Sequence, residues 1–153
     1  KMGYGALLFA TALTPASMAD AMASVPHRSV YAALGAEVMQ IAAAEGVSPI
    51  GFNGFDPEAF RSGATQRIDT AMDAMIAHNR NTAKTHSGIY RDLAVRRRKT
   101  EVDAQMGRMV DIARSHAIPT PALSMLCSLI HDIEDGRKTQ SMELLDVMAR
   151  ACV

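Results

Sequence analysis

Along this chain apolar residues recur at helical spacing, and no stretch shows the strict alternation of a half-buried strand. Residues 2–13 are apolar almost all round, which predicts a helix buried on most sides. Pro15 ends it, and Ala16–Ala23 form a short helix carrying Met18 and Met22 four apart. Past Pro26, the stripe Val30, Leu34, Val38 and Ile41 predicts a helix over 29–45, stopped by Gly46. The stretch 47–60 is rich in Gly, Pro and aromatics and reads as an ordered loop, with a helical turn begun at Asp56 and Pro57 in its first position. Ile68, Met72, Met75 and Ile76 mark a helix over roughly 64–82, followed by a polar joint at 79–88 and a short helix near 89–96. Thr100 opens the next helix. Its hydroxyl can accept a backbone N–H, Asp103 sits three residues on as in a capping box, and Val102, Met106, Met109, Val110 and Ala113 form the apolar face. Thr120 as cap, with Pro121 in the first turn, starts a helix that Leu123, Leu126, Ile130 and Ile133 carry to Gly136. A last helix begins near Ser141. Together these elements predict an all-α fold, a packed, bundle-like domain of many helices.

At 153 residues the chain is one domain by size, long enough to bury a sizeable core. With 48 % apolar and 21 % charged residues it has the balance of a globular protein. Its formal net charge of zero lacks the basic excess of a dedicated nucleic-acid binder, so no nucleic-acid partner is expected. The longest near-continuous apolar run, Ala6–Leu13, falls far short of the ~20 residues that cross a bilayer, so no membrane partner is expected either. No signal peptide is legible, and two cysteines are too few for a disulfide scaffold; the expected location is the cytoplasm. Cys127 falls within an apolar helical pattern and is expected in the core. The opening Lys1-Met2 leads to the expectation that the chain is a piece of a longer polypeptide.

The densest chemistry lies between Arg91 and Asp103. Four consecutive cations, Arg96–Lys99, precede Thr-Glu-x-Asp, and a carboxylate such as Glu101 at a helix start beside cations is placed to meet a polar or anionic ligand. The cations have two readings: a solvated basic helix end, or anion recognition, with Arg97 and Arg98 as the contacts. Neither a dinucleotide glycine fingerprint nor a phosphate loop is present. His131 and Glu134, three apart, lack a second pair of ligands, so no metal is expected. His86, beside Ser87, is a candidate for acid–base work but has no evident carboxylate to orient it. The 11 methionines read as core filler, or as the lining of a helical dimer interface.

Two segments taken together resemble the C-terminal helical domain of the ketopantoate reductase (2-dehydropantoate 2-reductase) family. Lys1 opens an apolar helix, and Asp92…Arg98-Lys99-Thr100-Glu101-Val102-Asp103 opens a later one. Thr120-Pro121 and Ile133-Glu134-Asp135-Gly136-Arg137 resemble the start and end of the family's following helix, so the likeness covers essentially the whole chain. The resemblance implies a fold similar to the 6-phosphogluconate dehydrogenase C-terminal domain. It also implies NADPH-dependent reduction of a small 2-oxo acid, ketopantoate to pantoate in pantothenate synthesis. Residues 1–153 would then be a substrate-binding and dimerisation domain, inactive alone and homodimeric, preceded by a Rossmann domain that holds most of the NADPH. By this carry-over Lys1 is the general acid at the ketone oxygen, Glu101 accepts hydrogen bonds from substrate hydroxyls, and Ser87 contacts the substrate. The chain departs from the family at Gly5 and Phe9, where Asn is frequent, and its interval from Asp92 to Glu101 is longer by a residue. The loop at 51–57 is also unlike the family and is expected to supply a different pocket wall. The competing reading is a non-catalytic helical homodimerisation domain.

Overall fold

A computed structural model describes residues 1–152, which form helices and turns with no strand. The order is α1 (Met2–Thr11), α2 (Met18–Ala23), a 3-10 turn (Val25–His27), α3 (Arg28–Ala44), α4 (Pro57–Ser62), α5 (Thr65–Arg80) and α6 (Gly88–Arg91). Two π-helical turns follow, Asp92–Arg96 and Asp103–Gly107, and then α7 (Arg108–Ser115), α8 (Pro121–Glu134) and α9 (Met142–Ala151). The expected all-α architecture is the observed one. No helix among the described residues is long and apolar enough to cross a membrane.

α1 is the hub. Tyr4, Ala6, Leu7, Phe9 and Ala10 are all buried, so the helix presents core on nearly every side, as its composition predicts. It packs against α3, α2, α6, α8 and the 103–107 turn. Val30, Leu34, Val38 and Ile41 of α3 are buried against it as a stripe, and α4, α8 and α9 close around the same helix. Seven methionines (Met18, Met22, Met39, Met72, Met75, Met106 and Met148) lie in this core, where their unbranched chains fill gaps between helices. The methionines are thus mainly core filler.

Aromatic side chains seated over glycines fix the long loop before α4. Phe55 lies against Gly3 of α1, and Phe60 of α4 against Gly35 of α3, where in each case a Cβ would collide with the ring. The two rings stack on each other with centroids 4.8 Å apart. Phe55 also closes a tight turn over residues 52–55, its N–H donating to the Phe52 carbonyl at 2.9 Å. Asn53 and Gly54 both take positive φ there, the pattern of a type I′ turn. The expected helical turn at Asp56 forms, with the Asp56 carboxylate accepting the Glu58 N–H at 3.0 Å and Pro57 in the first position.

Gly54 also lets the turn touch α5: a Cβ there would stand 2.6 Å from backbone atoms of Ala74 and Met75. Gly63 has a similar positive φ but open space around it. Gly63→Ala is therefore expected to cost about 1–2 kcal/mol, the left-handed backbone alone. Gly54→Ala should cost a further 1–3 kcal/mol or so, because backbone cannot swing aside as a side chain can. Urea melts of the two variants check this; equal losses would mean that the turn is free to lift off α5.

Two helix starts differ from expectation. Thr120 makes no side-chain cap. Instead Glu37, buried on α3, accepts the N–H groups of Ala122 and Leu123 at 2.8 Å each, one on each carboxylate oxygen. A carboxylate at that end also answers the partial positive charge of the helix terminus. At Thr100 the capping box is not formed: the hydroxyl accepts the Val102 N–H at 3.2 Å, while Asp103 turns away to His131 at 2.8 Å. The Thr100 N–H and hydroxyl both donate to Glu134 at 2.7 Å. In both places a carboxylate distant in sequence does work that local spacing assigns to a neighbour.

Candidate functional site

Lys1 stands exposed at the start of α1, its carbonyl accepting the Gly5 N–H at 2.8 Å to begin the helix. Its side chain borders a cleft of about 410 Å³ lined also by Gly5, Leu8, Phe52, His78 and Lys84, among others. Each wall has a separate origin. α1 contributes Lys1, Tyr4, Gly5 and Leu8 at helical spacing. The 52–55 turn contributes Phe52 and Asn53, with Phe52 set edge-on to Tyr4 at 5.2 Å. The end of α5 contributes His78 and Asn79, and the loop after it Thr82 and Lys84. The 51–57 loop therefore supplies a wall to the Lys1 cleft.

Deep in the cleft, Tyr4 and Asn79 hold each other. The Asn79 amide donates to the Tyr4 oxygen at 2.9 Å and to the Met75 carbonyl at 2.8 Å, and the phenol faces the amide oxygen at 3.2 Å. Burial pushes the Tyr4 hydroxyl above the ordinary tyrosine range, with Asn79 pulling it part of the way back. It stays a neutral donor at physiological pH. The cleft lining contains no carboxylate, whereas Lys1, Lys84 and His78 are all basic.

At Gly5 a Cβ would meet nothing within 4 Å, so the absent side chain leaves room in the cleft. Phe9 is different: it is 1 % exposed and belongs to the core. Of the two positions where the resemblance leads to Asn, one is an opening and the other is packing.

Ser87 and Glu101 do not line this cleft. Ser87 is buried at the N-terminus of α6, its hydroxyl accepting the Tyr90 N–H at 3.1 Å. Glu101 is exposed between the two π turns and accepts from the Gln105 amide at 2.8 Å. α1 nevertheless packs against α6, which Ser87 precedes, and against the 103–107 turn, which Glu101 precedes by two residues.

The cation run divides in two. Arg96 and Arg98 both reach the Asp92 carboxylate, at 2.7 and 2.9 Å, and hold it well below the usual carboxylate range. Arg97 closes the first π turn with φ +50°, and with Arg98 and Lys138 it borders a second cleft of about 460 Å³. Glu134 lines that cleft too, but its carboxylate is engaged by Thr100.

The remaining candidates are occupied. His86 has Thr85 on one ring nitrogen and the Pro15 carbonyl on the other, both at 3.0 Å, which makes it a strut of its loop. His131 and Glu134 turn to different partners, and among the described residues no group of three or more metal-ligating side chains forms. Cys127 is half-buried; burial and the nearby Asp103 charge raise its thiol to about 11, so it is no nucleophile at neutral pH. Sequence reasoning missed Phe52, Asn79 and Lys84. Of these only Phe52 left a signal, an aromatic beside Asn53-Gly54 in an otherwise unpatterned loop.

A family model described as ketopantoate reductase PanE/ApbA C terminal matches residues 2–134. No curated protein and no solved structure matches the chain. The matched span begins one position after Lys1, includes Ser87 and Glu101, and ends where α8 ends. The chain belongs to this family.

Proposed function

We propose, from its membership of the ketopantoate reductase family, that this chain is the substrate-binding helical half of an NADPH-dependent 2-oxo acid reductase. The observation that carries this reading is Lys1 on the rim of a cleft with basic groups and no carboxylate, in a chain whose family match runs through Glu101. Such a cleft suits a small anionic substrate. The described residues offer no strand–turn–helix cradle for a dinucleotide, so the cofactor would be held mainly by a Rossmann domain ahead of Lys1. NADPH, when bound there, would supply the hydride.

What this chain contributes is a proton and a grip. The Lys1 ammonium donates to the ketone oxygen, favours the negative charge that develops on it and releases its proton to it. Glu101, exposed and not paired with a cation, accepts hydrogen bonds from substrate hydroxyls. Ser87 acts by capping α6, the helix that packs against α1, and by this reading contacts the substrate from that side. Arg97, with Arg98, is offered for an anionic group of substrate or cofactor at the second cleft. A homodimer belongs to the same reading.

The test is NADPH consumption by the full-length protein with ketopantoate and a panel of other 2-oxo acids. Turnover of at least one of them is expected, and none from residues 1–153 alone. Absence of turnover with every 2-oxo acid, in a folded full-length protein, would sink the reading.

A further inference from the structure

The geometry points to Lys84 as the partner of the substrate carboxylate, and to Phe52 with the Gly5 opening as the selector of 2-oxo acids bearing a bulky apolar side chain. This rests on the reductase reading above.

Lys84 is exposed, yet its loop is anchored at three points. The Thr85 carbonyl accepts the Met18 N–H at 2.9 Å, the His86 ring donates to the Pro15 carbonyl at 3.0 Å, and the Thr82 hydroxyl donates to the Asn79 carbonyl at 3.0 Å. These bonds hold the loop to the corner between α1 and α2, and Lys84 shares the cleft with Lys1. Neither lysine takes part in any ion pair among the described residues. One cation suffices for the ketone oxygen. Beside its neutral ketone a 2-oxo acid carries a charged carboxylate, and Lys84 is the other unpaired ammonium in the lining.

Beyond the two polar ends, the substrate tail meets Leu8, Met18 and Phe52. Phe52 is 37 % exposed and stands against Tyr4, so its ring has an open face toward the cleft. At Gly5 no side chain intrudes. An aromatic wall beside an empty position favours a tail with more apolar area than a short polar one.

Steady-state kinetics of the full-length protein decide it, with each 2-oxo acid compared against its uncharged 2-oxo amide. Lys84→Met is expected to raise KM for the acids about tenfold or more with kcat little changed, and to leave the amides unaffected, since only the acids lose a charge-assisted hydrogen bond. Phe52→Ala and Gly5→Asn should each lower kcat/KM for bulky apolar substrates about tenfold relative to short polar ones. Melting curves confirm that the variants fold. Equal KM effects on acid and amide, or none on either, would overturn the Lys84 assignment while leaving the reductase reading intact. An unchanged order of substrates in both wall variants would overturn the selector. A wild-type protein that reduces no 2-oxo acid fails the underlying reading, and this one with it.

Discussion

Replacing Lys1 by Ala in the full-length protein is expected to lower kcat by about 10²–10⁴-fold, the usual contribution of a positioned general acid, with little change in KM. The substitution isolates chemistry from folding. Lys1 is exposed, and it starts α1 through its carbonyl rather than its side chain, so Ala keeps the helix start. Lys1→Arg should recover part of the electrostatic effect but little of the proton transfer, because a guanidinium scarcely deprotonates. Comparing the three proteins by pre-steady-state hydride transfer separates charge from proton delivery. Undiminished turnover in Lys1→Ala would remove this residue from the mechanism.

Glu37→Ala is expected to destabilise the fold by about 2–4 kcal/mol, because it leaves two backbone N–H groups at the buried start of α8 without acceptors. For a chain of this length that is a fall in Tm of about 5–15 °C. Thr120→Ala, at the position local spacing would choose as the cap, should cost far less, since its side chain makes no cap bond. Thermal melts of the pair test the assignment directly: a larger loss at Thr120 would refute it. A pH dependence accompanies it. Burial raises the Glu37 carboxyl above the ordinary glutamate range, and the two N–H donors pull it back only in part. The folded chain then binds a proton at a pH where the unfolded chain has lost it. The part of Glu37's contribution that depends on pH, the proton retained on folding, is full below the ordinary glutamate pKa and is lost as pH rises through the raised value, while the two N–H bonds persist in the ionised form. Glu37→Gln should flatten that segment of the stability–pH curve.

Glu37 also shows where the sequence stops being legible. Helix positions follow from period and punctuation, so α1, α3, α5 and α8 appear close to where Pro15, Gly46, the Ile68–Ile76 stripe and Pro121 place them. The same logic found the Thr100 hydroxyl as an acceptor but missed the parts played by two carboxylates, since it looks for partners within a few residues. Here the acceptors, Glu37 and Glu134, lie 85 and 34 residues from the amides they serve. Three-dimensional packing brings them there, and no local spacing encodes it.

The candidate site divides likewise. Family motifs point to Lys1, which borders the cleft, and to Glu101, which lies outside it, while the 51–57 loop is legible as a pocket wall through its departure from the family. Lys84 sits in a polar joint with no pattern of its own, and the bonds of its loop to Met18, Pro15 and Asn79 hold it at the cleft that Lys1 borders. The Arg run gave two readings from sequence, and Asp92 divides them: it takes Arg96 and Arg98 and leaves Arg97 at the second cleft.

The two π turns around Glu101 bear on how such a motif tolerates change. In each, an N–H reaches back five residues instead of four: Arg97 to Asp92, and Arg108 to Asp103. A wider loop of this kind stores a surplus residue without rotating the helix that follows it. The first of these turns lies inside the lengthened interval between Asp92 and Glu101, so part of its extra length is taken up there. The second runs straight into α7, so a residue inserted or removed there is expected to be absorbed before Arg108, with the α7 face keeping its register on the core.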